Sequence, residues 1–111
     1  MVRFAFAAAT LAAVFSLVSV SFAEDMIGSP ERGHELALDV CSECHWASEE
    51  QFVIPDSGAP SFFQLAEDPA YSPIALRVAL QTPHNKMPNL ILTQEETDNI
   101  IAYIMALREK R

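Results

Sequence analysis

Cys41-Ser42-Glu43-Cys44-His45 holds both cysteines of this 111-residue chain and one of its three histidines. On a helix, positions i, i+3 and i+4 share one face, so both thiols and the imidazole can address a single planar ligand. Two sulfurs can bond the vinyl edge of a haem while a ring nitrogen of His45 holds its iron, and C-x-x-C-H is the spacing of c-type haem attachment. Two other chemistries use the same residue types. A redox-active dithiol needs a βαβ setting, and a structural zinc needs four ligands where the chain offers two cysteines and three histidines.

A run of this kind needs a helix leading into it. Ser29-Pro30-Glu31 supplies an N-cap hydroxyl, a proline at the first helical position and a carboxylate at the positive end of the dipole. Gly33, Leu36, Ala37, Val40 and Cys44 continue at helical spacing, which predicts a helix over residues 30–44. Residues 46–60 keep no period and are punctuated by Pro55, Gly58 and Pro60, as a loop would be. A short helix is expected at 61–66, ending before Pro69. Ser72-Pro73 opens another that Pro83 stops; the alternation of Ile74, Leu76, Val78 and Leu80 would also suit a strand, but the cap chemistry favours helix. Thr93 and Glu96 form a capping box ahead of a stripe of Thr97, Ile100, Ile101, Ile104 and Leu107, with Arg108, Lys110 and Arg111 at the negative end. The expected fold class is all-α, with no repeat or strand pair in competition.

The front of the chain has a different composition. Arg3 precedes an apolar stretch from Ala5 to Val20, and Ser21-Phe22-Ala23 offers a small-x-small cleavage site, the order of a secretory signal peptide over residues 1–23. Retained, the segment would be long enough to anchor in a bilayer. Cleavage after Ala23 leaves one domain, residues 24–111, with 15 acidic groups against 6 basic ones. So acidic a chain lacks the clustered Lys and Arg that nucleic acid or an anionic membrane would require. Membrane contact would be transient, or would follow from a retained leader.

Three blocks, taken in order, resemble a small bacterial class I (monohaem) cytochrome c, and the resemblance spans nearly all of the mature chain. Gly33, eight residues before Cys41, stands where that family packs its first helix on its last, with Ile100 and Tyr103 as the facing partners. Cys41, Cys44 and His45 match the attachment motif, and Lys86-Met87-Pro88 matches the segment that brings a distal axial methionine to the iron. Gly58-Ala59-Pro60-Ser61-Phe62 looks like the proline loop whose carbonyl accepts the proximal imidazole proton, a role that falls on Pro60. In this family haem attachment takes place outside the cytoplasm, in keeping with an export signal. The resemblance implies one covalently attached haem c per chain, with iron held by His45 and Met87.

The distal ligand has rivals. Met26 lies in the mature tail, Met105 falls on the packing face of the last helix, and His84 precedes Met87 by three residues. Met87 lies between Pro83 and Pro88, which stiffen its segment, and is preferred; His84 remains the alternative. His34 reads as a solvated histidine. Trp46, Arg77, Gln81 and Asn85 are candidates for the haem propionates or edge, and Phe52, Phe62, Phe63, Leu65, Leu76, Leu80, Leu90 and Ile91 for the crevice lining.

Two strong axial ligands leave no open position on iron, and a thioether favours the ferrous state. The expected function is periplasmic single-electron transfer between redox proteins, without enzymatic turnover. A haem-based sensor with a labile methionine, or a fixed relay subunit of a larger redox enzyme, are the alternatives. Glu43, Glu49, Glu50 and Asp56 against Lys86, the sole lysine before position 110, predict an acidic docking rim and a partner with a basic patch.

Overall fold

The computed structural model describes residues 27–83, 87–88 and 90–110, and its elements are all helical: α1 (Pro30–Leu36), continued by a π-helical turn (Ala37–Cys41), then α2 (Phe62–Glu67), α3 (Pro73–Gln81) and α4 (Gln94–Glu109). The leader, Met26, His84, Asn85, Lys86 and Arg111 lie outside the described residues. Each α-helix begins on a side-chain cap. Ser29, Ser61, Ser72 and Thr93 accept from backbone N–H groups of their first turns, and Ser61/Gln64 and Thr93/Glu96 close reciprocal capping boxes. Helices of six to nine residues are too short to persist alone in water, so tertiary contact must hold α2 and α3 in place.

α4 supplies that contact. Its middle, Thr97 to Met105, is buried almost all round, because α1, α2 and α3 all pack on it. α1 crosses it at Gly33: a Cβ built there would overlap the Asn99 carbonyl oxygen and stand 2.8 Å from the Tyr103 Cβ. The closest approach is therefore to α4 backbone and Tyr103, rather than to the Ile100 side chain. Gly28 adds a second close approach, with a φ of 104° and no room for a side chain against the Asp98 carbonyl. Between the two glycines the Ser29 N–H donates to Oδ1 of the buried Asn99 at 2.8 Å, pinning the start of α1 to α4.

The first helix departs from the expected uniform helix over 30–44. Its last turn is π-helical, and the i→i+5 bonding adds one residue to the turn. Gly33, Ala37 and Cys41 thus face inward while Val40 and Cys44 turn out. In α3 the alternating apolar residues divide between two faces, since i and i+4, not i and i+2, align on a helix. Leu76 is buried in the core with Leu80 packed partly against it, and Ile74 and Val78 stand together on the outer face. Arg108, expected to balance the dipole of its own helix, instead donates to the carbonyls of Ala66 at 2.6 Å and of Asp68 and Tyr71 at 3.2 Å. It caps the end of α2 from α4.

Gly33→Ala should lower the stability of the protein by about 1–3 kcal/mol, since neither Asn99 nor Tyr103 can withdraw without moving α4. Thermal unfolding beside the exposed-site control Glu35→Ala measures this, with several degrees lost expected only for Gly33.

Candidate functional site

The π-helical turn delivers Cys41 to the core and then closes into a single tight turn. Both the Cys44 N–H, at 3.1 Å, and the His45 N–H, at 2.9 Å, donate to the Cys41 carbonyl. The i, i+3, i+4 relation of the three side chains survives although the α-helix has ended. The two thiols are free and differ in surroundings: Cys41 is buried, Cys44 exposed. Burial pushes the Cys41 thiol up to about 11, with the neighbouring Cys44 adding to the effect.

His45 is half-buried, and its Nδ1 lies 2.6 Å from the Pro60 carbonyl oxygen. A carbonyl can only accept, so Nδ1 carries the proton and Nε2 keeps its lone pair. Pro60 precedes the α2 cap, and the Phe62 N–H donates to the Trp46 carbonyl at 3.0 Å, so the start of α2 is tied to the residue after His45. The Phe62 ring sits 5.5 Å from that of His45, centroid to centroid. Imidazole, carbonyl and aromatic ring thus form one rigid corner.

Side chains of the turn, of the following loop and of α4 satisfy further carbonyls of the turn and its continuation. Ser57 Oγ donates to the Cys44 carbonyl, Ser42 Oγ to that of Leu38, and Tyr103 Oη to that of Ala47 at 2.6 Å. Trp46 commits its indole N–H to the Ser48 carbonyl at 3.0 Å and sets its ring edge-on to Phe63, so what it can offer a haem is ring surface rather than that N–H. Arg77, a propionate candidate, pairs instead with Asp98 on α4. Gln81 is exposed. His34 is not a solvated residue: its Nε2 is 2.9 Å from Ser48 Oγ and its ring lies 5.1 Å from that of Tyr103.

The proposed crevice lining also divides. Phe62, Phe63, Leu65 and Leu76 are taken up by the protein core, and Leu80 and Leu90 are half-buried. Phe52, at 104 % exposure, and Ile91, at 95 %, are covered by no protein group. Val53, Ile54, Ile74 and Val78 are exposed with them. Met87 is half-buried on the segment between α3 and α4, where Pro88 is exposed. Glu43, Glu49, Glu50 and Asp56 are all exposed.

A haem fits this chemistry: an imidazole whose Nδ1 is committed to a carbonyl and whose Nε2 is left over, two reduced thiols one turn apart, and large apolar side chains that no other part of the described chain covers. Zinc fits less well, since no group of three or more His, Cys, Asp or Glu among the described residues could hold a metal. Sequence reasoning missed Gln51, Ser57 and Gly28. Nothing in residue type marks a loop glutamine or serine as a carbonyl donor; for Gly28, its place just ahead of a Ser-Pro cap was the only available signal.

The chain is similar to cytochrome c-552 of Bradyrhizobium diazoefficiens, with 33% identity over 91 residues, covering 82% of this chain and 86% of that one. No family model matches the chain, and no solved structure matches it.

Replacing the buried sulfur tests the site. With a haem bound at the motif, Cys41→Ser would leave it a single thioether anchor and put a polar hydroxyl in the core, so that the protein should accumulate poorly and lose helicity. Circular dichroism and whole-protein mass after periplasmic extraction check it; a stable, haem-free variant of full helicity would be the contrary result.

Proposed function

Because the chain belongs to the small cytochromes c, a family of electron carriers with covalently bound haem c, we propose that it is a periplasmic carrier holding one haem between His45 and Met87. The observation that carries this reading is the His45 Nδ1 contact to the Pro60 carbonyl, which fixes the ring tautomer and leaves Nε2 for iron. When bound, haem c supplies a one-electron iron couple. The chain's own residues do the rest. Cys41 and Cys44 anchor the macrocycle, and Trp46 offers ring surface at its edge. Phe52, Ile74, Val78 and Ile91 supply apolar surface that excludes water, which favours the less charged ferrous state. Met87 supplies the soft sulfur of the distal side, with His84 as the competing ligand.

Export rests on the leader at residues 1–23, and among the described residues no helix is long and apolar enough to cross a membrane. The exposed carboxylates of Glu43, Glu49, Glu50 and Asp56 favour a redox partner with a basic face.

Two measurements test these assignments. Met87→Ala should lower the reduction potential and let carbon monoxide bind the ferrous protein, while Met105→Leu, at a buried packing position, should do neither. Opening of the site by His84→Ala instead would transfer the role to the histidine, and carbon monoxide binding to the unaltered protein would make it a ligand binder. Electron transfer with the native partner should slow steeply as the Debye length falls below about 10 Å, and slow further in Glu49→Lys and Glu50→Lys. Stopped-flow rates over an ionic-strength series read this directly; salt-independent rates would mean apolar docking.

A further inference from the structure

Gln51 has no place in the attachment motif, yet its carboxamide lies at the centre of the turn that carries it. Its Nε2 is 3.0 Å from the Ser42 carbonyl, 3.2 Å from the His45 carbonyl and 2.9 Å from the Val53 carbonyl, and its Oε1 accepts the Ala47 N–H at 3.0 Å. Its own N–H donates to the Ser48 carbonyl at 3.1 Å. The amide orientation is dictated by these neighbours: reversing it would set the oxygen against three carbonyl oxygens and the nitrogen against an N–H. Two Nε2 protons therefore serve three acceptors, all of them at or beyond the end of a helical run that lacks a glycine cap. A helix end leaves its last carbonyls without partners, and an irregular loop does the same for those beyond it.

His45 is held at three points. Its backbone N–H goes to Cys41, its ring to Pro60, and its carbonyl to Gln51. The first is local and the second reaches 15 residues along the chain. Gln51 closes the space between them, tying the loop over residues 42–53 into one unit with the turn. We propose that Gln51 is the positioning residue of the proximal ligand: it holds the His45 backbone so that Nδ1 meets the Pro60 carbonyl and Nε2 points to the iron. Its carboxamide is committed to backbone groups, and it acts through His45. The inference rests on the reading of His45 as the proximal ligand.

The experiment uses the haem-loaded, reduced protein, with ¹⁵N-labelled histidine, and follows solvent exchange of the His45 Nδ1–H by NMR. Gln51→Glu keeps the shape and, when ionised, places a carboxylate without donors against the same carbonyls. Gln51→Leu removes donors and charge together. Both should accelerate Nδ1–H exchange by roughly five- to tenfold, the scale of one lost hydrogen bond, while the backbone amides of residues 100–105 in α4 keep their protection. The reduction potential should shift in both variants.

Unchanged Nδ1–H exchange with the fold intact would overturn the proposal. So would acceleration matched equally in α4, or failure of both variants to fold, since either would make Gln51 a general determinant of stability. Failure of the ligand assignment is read separately: the His45 ring protons of the unaltered protein would then lack the large ring-current shift of an axial imidazole. The effect of Gln51 on the Nδ1–Pro60 contact would still be measured.

Discussion

The crossing of α1 and α4 at Gly33 is the contact on which the remaining geometry depends. Only a hydrogen separates the two backbones there, and that closeness lets the Asn99 side chain reach the Ser29 N–H and lets the Tyr103 hydroxyl reach the Ala47 carbonyl. Burial also pushes the Tyr103 phenol above its usual range. One helix thus fixes both ends of a segment running from the α1 cap to the residues just after His45. With the crossing in place, the direction of the π-helical turn and the depth of Cys41 are largely determined. Without it, a seven-residue α1 has little reason to persist.

A second constraint follows from the way the first helix ends. An abrupt stop in a π-helical turn leaves carbonyls pointing into a loop that has no regular structure of its own, and unpaired backbone groups near the core are costly. Side chains answer: Gln51 and Ser57 of the loop donate to the Ser42, Cys44 and His45 carbonyls, while Trp46 and the distant Tyr103 of α4 donate to the carbonyls of Ser48 and Ala47 in the loop itself. The result is a firm corner at His45 and Pro60, built without secondary structure. Among the described residues, no buried side-chain nitrogen or oxygen lacks a hydrogen-bond partner.

Outside that corner the chain divides its apolar residues between two uses. Phe62, Leu65, Leu76, Ile100 and Ile104 form one cluster around α4. The outer face of α3, the stretch from Phe52 to Ile54 and Ile91 stay uncovered. In an acidic domain this small, such surface is unusual unless it meets something apolar. A covalently anchored haem is the group whose size and chemistry match it. The carboxylates beyond it bear on encounter with partners rather than on the fold.

By itself, the amino-acid sequence determined the local and chemical features. C-x-x-C-H is contiguous and needs no tertiary information, and the Ser-Pro and Thr-x-x-Glu caps act within a single turn, so the motif and three of the four α-helix starts were legible, whereas Ser61, expected inside its helix, is the cap of α2. Gly33 was legible through its offset from Cys41, although its nearest neighbours are Asn99 and Tyr103. Relations between distant residues were decided only by the tertiary structure. His34 reads as solvated until Tyr103 and Ser48 are brought beside it, Arg77 reads as a propionate candidate until Asp98 is packed opposite, and Arg108 caps α2 rather than its own helix. The π-helical turn belongs to the same class, since inward placement of Cys41 depends on where α4 lies. Period and spacing report which face a residue occupies on its own element; which group waits on that face depends on how the elements cross.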